Sequence, residues 1–308
     1  MKLIETRCPI CGSMGNYTVV YKSNFSYSDF TSEVFSARRL PDVIHYQIVR
    51  CKNDNLVRSS PVYDSSVVES LYKSSKLNYT EQIDNLTASY LRVIDKVLSM
   101  LTKDARILEV GCGNGFVLKA LLDRGYGNLY GIEPSSDAVA KADEKIRDKI
   151  TVDFLKNGIY KNGSFNFIFF FQTLDHIYDP VQFLNICYNL LVPGGFTLSL
   201  NHDVGSLSAI ILGEKSPIID IEHTHLYSKE TIRKLFCKCG FSPIEVYSPE
   251  SIISLKYLLW LMPLLPRKTK QKLLNSRSKL LNSLLKLRLR LALGNLCIMA
   301  RKPINNHK

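Results

Sequence analysis

Three glycines at alternate positions follow a short apolar run in the segment ILEVGCGNGF, residues 107–116. They are Gly111, Gly113 and Gly115, and a helical pattern of apolar residues begins directly after them. Glycine lets a backbone turn sharply and come close to a ligand. Because a buried parallel strand reads as a short apolar run, the segment predicts a strand, a ligand-binding turn and a helix.

An acidic residue lies on each side of this turn. Glu109 precedes the glycines, and Glu133 ends the next apolar step, LYGIEP, residues 129–134. A carboxylate at the tip of the second strand can accept both hydroxyls of a bound ribose. The dinucleotide pattern would need glycine or alanine at Phe116, and the chain has no GxxxxGKS or GxxxxGKT phosphate loop. The residues therefore favour a nucleoside cofactor that carries a cationic amine and no phosphate.

Polar side chains follow two strand-like runs farther along the chain. Gln172 and His176 come after FNFIFFF, and His202 comes after FTLSLN. In an open α/β sheet the reaction site lies beyond the carboxyl ends of the strands, and histidine is the natural proton acceptor near neutral pH. We predict His202 as the catalytic base. His176 is the second candidate, and its alternative role is to fix a loop under the cofactor.

Cys8 and Cys11 have the CxxC spacing of a zinc knuckle, in which two thiolates grip one metal. A tetrahedral site needs a second pair of ligands, and Cys51 and Asp54 in the segment CKND are the candidates. Asn55 tolerates the left-handed conformation that a knuckle needs. Because a carboxylate oxygen is an accepted zinc ligand, the four residues predict a structural zinc site. A degenerate knuckle that folds without metal is the alternative.

Apolar periodicity divides the chain into three parts. Residues 1–66 lack helical periodicity and predict a small zinc-ribbon-like module. Residues 67–104 contain apolar side chains at spacings of three and four, which predict a helical linker. Residues 105–308 alternate strand and helix patterns, with a basic, leucine-rich insertion at 251–293. This alternation predicts an α/β fold with a doubly wound, mostly parallel seven-stranded sheet.

The composition is that of an ordinary globular protein, with 308 residues, 45% hydrophobic and 22% charged. The start, MKLIETRCPICG, has no apolar core of signal-peptide length. Eight cysteines without a signal favour reduced thiols or metal over disulfides. We therefore expect a cytoplasmic protein.

The net charge of +12 resides in the tail. After Glu250 there is no acidic residue, whereas thirteen Lys and Arg lie between Lys256 and Lys308. A basic amphipathic segment near Trp260 suits an anionic membrane surface, so peripheral binding at the inner membrane face is one prediction. A hairpin that packs its leucines on the core or on a second subunit is an equal alternative. The run LLKLRLRLAL, residues 284–293, also alternates with period two and could form a strand.

From residue 105 to 301 the sequence resembles the class I S-adenosylmethionine-dependent methyltransferases. The matching blocks are ILEVGCGNG, GIEPS, FNFIFFFQTLDHIYDPVQFLNICYNLLVPGGFTLSL and HLYSKETIRKLFCKCGF. The third block is the most specific, because the family has there a strand, a Leu-Glu-His-like tripeptide, Asp-Pro, a helix, Pro-Gly-Gly and another strand. Asp175 replaces the glutamate of the tripeptide, and Asn166 stands where aspartate is usual.

The resemblance implies S-adenosylmethionine as the cofactor and a set of residues that bind it. Glu109 and the glycine turn would hold the methionine end, and Glu133 would hold the ribose. Asp153 and Phe154, at the tip of the third strand, would contact the adenine. The full predicted set is Glu109, Gly111, Cys112, Gly113, Gly115, Glu133, Asp153, Phe154 and Gln172.

The resemblance leaves the methyl acceptor open. The segment FQTL, residues 171–174, stands where enzymes that methylate base amino groups carry Asn-Pro-Pro-Tyr or its variants, which argues against DNA. Leucines stand in the tail where stacking aromatics would be wanted, so RNA is disfavoured. We expect a small-molecule or glycan acceptor, which could be lipid-linked. The alternatives are a non-catalytic cofactor-binding scaffold and an RNA methyltransferase.

Overall fold

The computed structural model describes residues 3–26, 31, 34, 44–74, 83–261, 283–292 and 294–304. About half of the basic insertion, residues 262–282 and 293, lies outside these residues. The described N-terminal part contains short strands and two helices: β1 (Leu3–Ile4), β2 (Tyr17–Tyr21), β3 (Ile48–Cys51), β4 (Val57–Ser59), β5 (Val62–Tyr63), α1 (Ser65–Lys73) and α2 (Ile83–Leu98).

Strands and helices then alternate along the rest of the described chain. They are β6 (Ile107–Val110), α3 (Phe116–Asp123), β7 (Leu129–Ile132), α4 (Ser136–Ala140), α5 (Glu144–Arg147), β8 (Ile150–Thr151), β9 (Phe165–Phe171), α6 (Pro180–Leu190), β10 (Leu191–His202), α7 (Leu207–Leu212), β11 (His225–Leu226), α8 (Lys229–Lys238), β12 (Ser242–Tyr247), β13 (Ser251–Ser254), α9 (Leu255–Leu261), β14 (Arg288–Leu291) and β15 (Asn295–Arg301).

Seven of these strands form the central sheet, in the order β12-β15-β10-β9-β6-β7-β8. Strands β10, β9, β6, β7 and β8 run parallel to one another. Strand β15 runs antiparallel to both β10 and β12. The predicted doubly wound, mostly parallel seven-stranded sheet is confirmed.

Strand β9 shows why the sheet carries helices on both faces. Its sequence FNFIFFF is almost entirely buried. Because side chains alternate along a strand, Phe167 and Phe169 pack in the cluster with α2 and α3, whereas Ile168 and Phe170 pack in the cluster with α6 and α8. Burying one such side chain contributes about 1.5–3 kcal/mol.

Side-chain caps fix the helix starts next to the site. The Asp179 carboxylate accepts a hydrogen bond from the Gln182 amide at 2.9 Å, and Pro180 occupies the first helical position of α6. Ser228 and Thr231 form a reciprocal capping box at the start of α8. Both helices therefore begin directly after a residue whose side chain caps them.

A second sheet of four strands, in the order β11-β4-β3-β2, carries the cysteine segment. Three of its strands come from the first 66 residues, but β11 comes from the loop before α8. His225 pairs with Arg58 and Leu226 with Val57. The Ser59 amide also donates to the Thr224 carbonyl at 2.9 Å. The N-terminal module and the long α/β part thus share one sheet.

The described part of the basic insertion forms a strand pair. Strands β13 and β14 run antiparallel, with Ser251 opposite Leu291 and Ser254 opposite Arg288. The period-two alternation in LLKLRLRLAL is therefore a strand over Arg288–Leu291. Within the described residues, none of the helices is both long and apolar enough to cross a membrane.

Candidate active site

A cavity of about 1120 Å³ lies beyond the carboxyl ends of five parallel strands. Each strand contributes a residue at or just after its end, and these five residues line the cavity: Gly111, Glu133, Asp153, Gln172 and His202. Loops at this edge converge because the strands are parallel, which is why ligands of open α/β sheets bind there.

The glycine turn follows β6 in the conformation that its glycines allow. Gly111 has φ of +71°, and a Cβ atom there would lie 2.5 Å from Thr173 Oγ1. Gly115 has φ of +69° and begins the turn into α3. Larger residues would push the turn away from β9, so the sequence requires glycine on both conformational and steric grounds.

Glu109 is a buried carboxylate at the base of this turn. Its Oε2 atom is buried and has no hydrogen-bond partner in the described part of the chain. Burial, and then the nearby charge of Glu133, raise the pKa of the Glu109 carboxyl well above its usual range. An orphaned buried carboxyl lining the cavity fits a ligand that brings a cationic amine, as the methionine end of S-adenosylmethionine does.

Glu133 is held in place by the backbone. Its Oε2 atom accepts from the Gly113 amide and its Oε1 atom from the Ser135 amide, each at 2.9 Å. Burial raises the pKa of this carboxyl, while the two amides oppose that shift. Each carboxylate oxygen can accept a further bond, so two ribose hydroxyls fit a carboxylate oriented in this way.

The other predicted cofactor residues lie around the same cavity. Phe154 and Asp153 line it beyond β8, and the Asp153 carboxylate pairs with Lys156 at 2.7 Å, which lowers its pKa. Gln172 has a φ of +49°, and its side chain accepts from the Tyr90 hydroxyl at 3.4 Å. Cys112 lines the cavity in the glycine turn and is buried there.

His202 and His176 both line the cavity, in the region next to the cofactor residues. The His202 Nδ1 atom lies 2.7 Å from Asp175 Oδ2. The His176 Nδ1 atom lies 2.8 Å from the Tyr72 hydroxyl. The structure therefore brings both predicted catalytic histidines together, each with a polar partner on one ring nitrogen.

His223 lies between these two histidines. Its ring centroid is 4.5 Å from that of His202 and 4.9 Å from that of His176. Burial, followed by the two neighbouring histidines, lowers the pKa of His223 well below its usual value, so this ring stays neutral. His225 instead lies in β11, where burial lowers its pKa to about 4 and Nδ1 contacts the Ile177 carbonyl.

The sequence pattern does not predict that several of the residues lining the cavity belong to the site. Tyr72 reaches His176 across 104 positions of the chain, and Tyr90 reaches Gln172 across 82. Ile252 and Ile253 come from the insertion and also line the cavity. These side chains belong to helix or strand patterns that predict packing, so only the folded chain identifies their place in the site.

The four predicted metal ligands, Cys8, Cys11, Cys51 and Asp54, lie together in the N-terminal module. Their ligand atoms are all within 4.8 Å of one another. Cys8 Sγ is 3.1 Å from Asp54 Oδ2, and Cys11 Sγ is 3.5 Å from Cys51 Sγ. Tetrahedral zinc with sulfur ligands at about 2.3 Å separates its donors by about 3.8 Å.

The backbone around the cluster also has the form of two knuckles. The Gly12 amide donates to the Cys8 carbonyl, and the Asn55 amide donates to the Cys51 carbonyl. Gly12 and Asn55 have φ values of +75° and +64°, so Asn55 adopts the predicted left-handed conformation. The donor set fits zinc, and zinc binding itself stays a prediction.

A family model described as a methyltransferase domain matches residues 79–246, which is more than half of the chain. The chain belongs to this methyltransferase family. The match begins just before α2 and ends in β12, so it includes the glycine turn and the three histidines. The predicted family and fold, and S-adenosylmethionine as the cofactor of that family, are confirmed.

Individual proteins that match this chain do so at low sequence identity. The ubiquinone biosynthesis O-methyltransferase of Colwellia psychrerythraea is 29% identical over 136 residues, which cover 41% of this chain and 54% of that protein. The protein of the same name from Psychrobacter arcticus is 25% identical over 190 residues, 56% of this chain and 72% of that protein. The chain thus spans about half the length of the first of these relatives.

Solved structures resemble this fold at low sequence identity. A SAM-dependent methyltransferase and possible histamine N-methyltransferase of Thermotoga maritima is 18% identical, with a TM-score of 0.47. The comparison covers 73% of this chain and 92% of that one. At this distance the likeness carries no information about substrates.

Replacing Glu133 by alanine is expected to weaken the binding of S-adenosylhomocysteine by about 1–3 kcal/mol, because the ribose hydroxyls would lose a buried acceptor. Calorimetric titration of the full chain measures this loss. The exposed Glu144 is a matched control, and Glu144→Ala should bind as the parent does. Tight binding of NAD together with no response to S-adenosylmethionine or its product would contradict the assignment of the site.

Proposed function

We propose that this protein transfers the methyl group of S-adenosylmethionine to a hydroxyl oxygen of a small molecule. The observation that carries the proposal is the position of His202. It lies at the end of β10, in the same cavity as Glu109 and Glu133, with a second ring nitrogen that has no partner among the described residues. A hydroxyl is a weak nucleophile, so a positioned proton acceptor is the group that its methylation needs.

The reaction assigns a task to each group. Bound S-adenosylmethionine would supply an electrophilic methyl group, and the thioether of S-adenosylhomocysteine would keep the electron pair of the broken carbon–sulfur bond. Glu133 and the glycine turn hold the donor, and the walls of the cavity hold the acceptor in line with it. The acceptor oxygen forms the new carbon–oxygen bond while His202 takes its proton.

The lining of the cavity supports an acceptor with an apolar body. Ile218, Ile252, Ile253 and Leu258 line it together with the histidines. The relatives named above are O-methyltransferases of ubiquinone biosynthesis, which is in keeping with an acceptor of this kind. We therefore favour a lipid-linked or otherwise apolar acceptor over a free glycan.

Peripheral binding to an anionic membrane is the finer part of the proposal. Three residues of α7, namely Leu207, Ile210 and Ile211, are each about 70% exposed. The same helix contributes Ser208 and Leu212 to the cavity. Exposed Lys286, Arg288 and Arg290 belong to the basic insertion. An exposed apolar face and a basic strand suit contact with anionic lipid.

The experiment measures release of S-adenosylhomocysteine by the full chain with different acceptors. We expect turnover with a long-chain alkyl catechol in phosphatidylglycerol vesicles, less with the same catechol in neutral vesicles or with protocatechuate in solution, and none with total RNA. His202→Gln should lose this turnover and keep calorimetric binding of S-adenosylhomocysteine. Turnover only with RNA would overturn the proposal, and cofactor binding without turnover on any acceptor would identify a scaffold.

A further inference from the structure

The carboxylate of Asp175 is buried completely at the end of the turn that follows β9. Its Oδ2 atom accepts from the His202 amide at 2.9 Å and lies 2.7 Å from His202 Nδ1. The Oδ1 atom is buried and has no hydrogen-bond partner in the described part of the chain. Every described hydrogen bond of this side chain therefore goes to His202.

We propose that Asp175 is a positioning residue, which fixes the His202 ring so that its Nε2 lone pair faces the acceptor. The inference rests on the proposed function, in which His202 takes the acceptor proton. Asp175 Oδ2 accepts from the His202 amide, and for the same oxygen to accept from the ring as well Nδ1 must carry a hydrogen. A neutral imidazole then bears its lone pair on Nε2, the nitrogen that a base needs.

The bond from the His202 amide ties the carboxylate to the end of β10, but the turn that carries Asp175 is also fixed by its own backbone. The Asp175 carbonyl accepts from the Thr224 amide at 2.9 Å and from the Thr224 hydroxyl at 3.2 Å. The His176 amide donates to the Thr173 carbonyl. These bonds hold the turn through the main chain, so the second contact of the carboxylate, with His202 Nδ1, is not needed to fix the turn.

The charges around His202 agree with the inference. After proton transfer the ring is an imidazolium, and the Asp175 carboxylate 2.7 Å away stabilises it. The neighbouring His223 has Nδ1 3.0 Å from the Ile218 carbonyl and stays neutral in its buried position. It therefore adds no positive charge beside the base. His176 is paired with the Tyr72 hydroxyl.

The first test needs no acceptor. Nitrogen-15 histidine spectra of the full chain with S-adenosylhomocysteine report which ring nitrogen is protonated, and His202→Gln assigns the His202 signals. We expect the Nδ1–H tautomer at His202 in the parent and a mixture of tautomers in Asp175→Asn. A neutral His202 protonated on Nε2 in the parent would overturn the inference, whether or not methyl transfer has been detected.

The second test uses turnover of the long-chain alkyl catechol. Asp175→Asn is expected to lower the turnover number about 100-fold or more, in the range that general base catalysis supplies, with little change in KM for S-adenosylmethionine. His202→Gln should lose at least as much, and the double variant no more than His202→Gln alone, because the two residues act as a unit. A double variant whose loss of turnover equals the product of the two single losses would contradict the positioning role.

Asp203→Asn is the matched control, since Asp203 is also a buried carboxylate at the end of β10 but accepts from the Gly205 amide instead. It should keep the parent tautomer at His202. Thermal unfolding of each variant separates a loss of positioning from a loss of folding. An Asp175→Asn protein that retains the parent spectrum and turnover would show that the carboxylate has no role in the site.

Discussion

Replacing Glu109 by glutamine should weaken binding of S-adenosylhomocysteine by about 3–5 kcal/mol, the usual cost of removing one partner of a buried charge pair. The cationic amine of the ligand provides the counter-charge that the buried carboxyl lacks in the protein alone. Calorimetric titration of the full chain measures the loss. Glu230→Gln, which changes an exposed carboxylate on α8, should bind as the parent does.

The same substitution should stabilise the protein without ligand. Because burial raises the pKa of Glu109 in the folded state, the stability linked to this carboxyl is fully present below the unfolded pKa of about 4.3 and is lost as the pH rises. Because glutamine does not ionise, Glu109→Gln avoids this loss of stability at neutral pH. The melting temperature at pH 7 should therefore rise by about 2–4 °C for each kcal/mol of folding stability regained.

Proton release provides an independent check on Glu109. If the carboxyl is protonated in the free protein and ionises when the amine binds, titrations in buffers of different ionisation enthalpy will show protons released at neutral pH. Glu109→Gln should abolish this release. Unchanged affinity together with no proton release in the parent would mean that the amine binds elsewhere.

Replacing Cys8 by serine is expected to remove zinc and to lower the melting temperature by about 10 °C or more, because the binding energy of a structural zinc is folding energy. Elemental analysis of the parent should give close to one equivalent of zinc, which four protein ligands hold without an open position. Cys237→Ser changes an exposed cysteine outside the cluster and should keep the metal. Metal-free parent protein with an unchanged melting temperature in Cys8→Ser would show that the knuckle folds without metal.

The residues that the sequence could place in the site are those with a strong local pattern. The glycine turn and Glu133 follow apolar strand signals, and a parallel sheet brings the ends of its strands to one edge. His202 was likewise visible, because a polar side chain at a strand tip has little reason to be there for packing. The CxxC spacing of Cys8 and Cys11 identified the first half of the predicted set of metal ligands.

Pairings between distant positions had no such signal. The bond between Asp175 and His202 depends on how the turn after β9 packs against the end of β10, which the sequence pattern does not specify. Tyr72 lies in a short helix whose pattern predicts only a buried face, so its contact with His176 required the fold. Strand β11 has two residues, too few for any periodicity to reveal.

Strand β11 also limits how this protein can be divided into fragments or joined to segments of related enzymes. The chain leaves the N-terminal module at β5 and returns to it at His225, where the edge of β4 is covered by the segment that carries His223. A fragment cut after residue 66 would lack this strand and expose a bare sheet edge, the kind of surface that invites aggregation. In a chimera between related enzymes, the cysteine module and the loop before α8 would therefore have to be exchanged together.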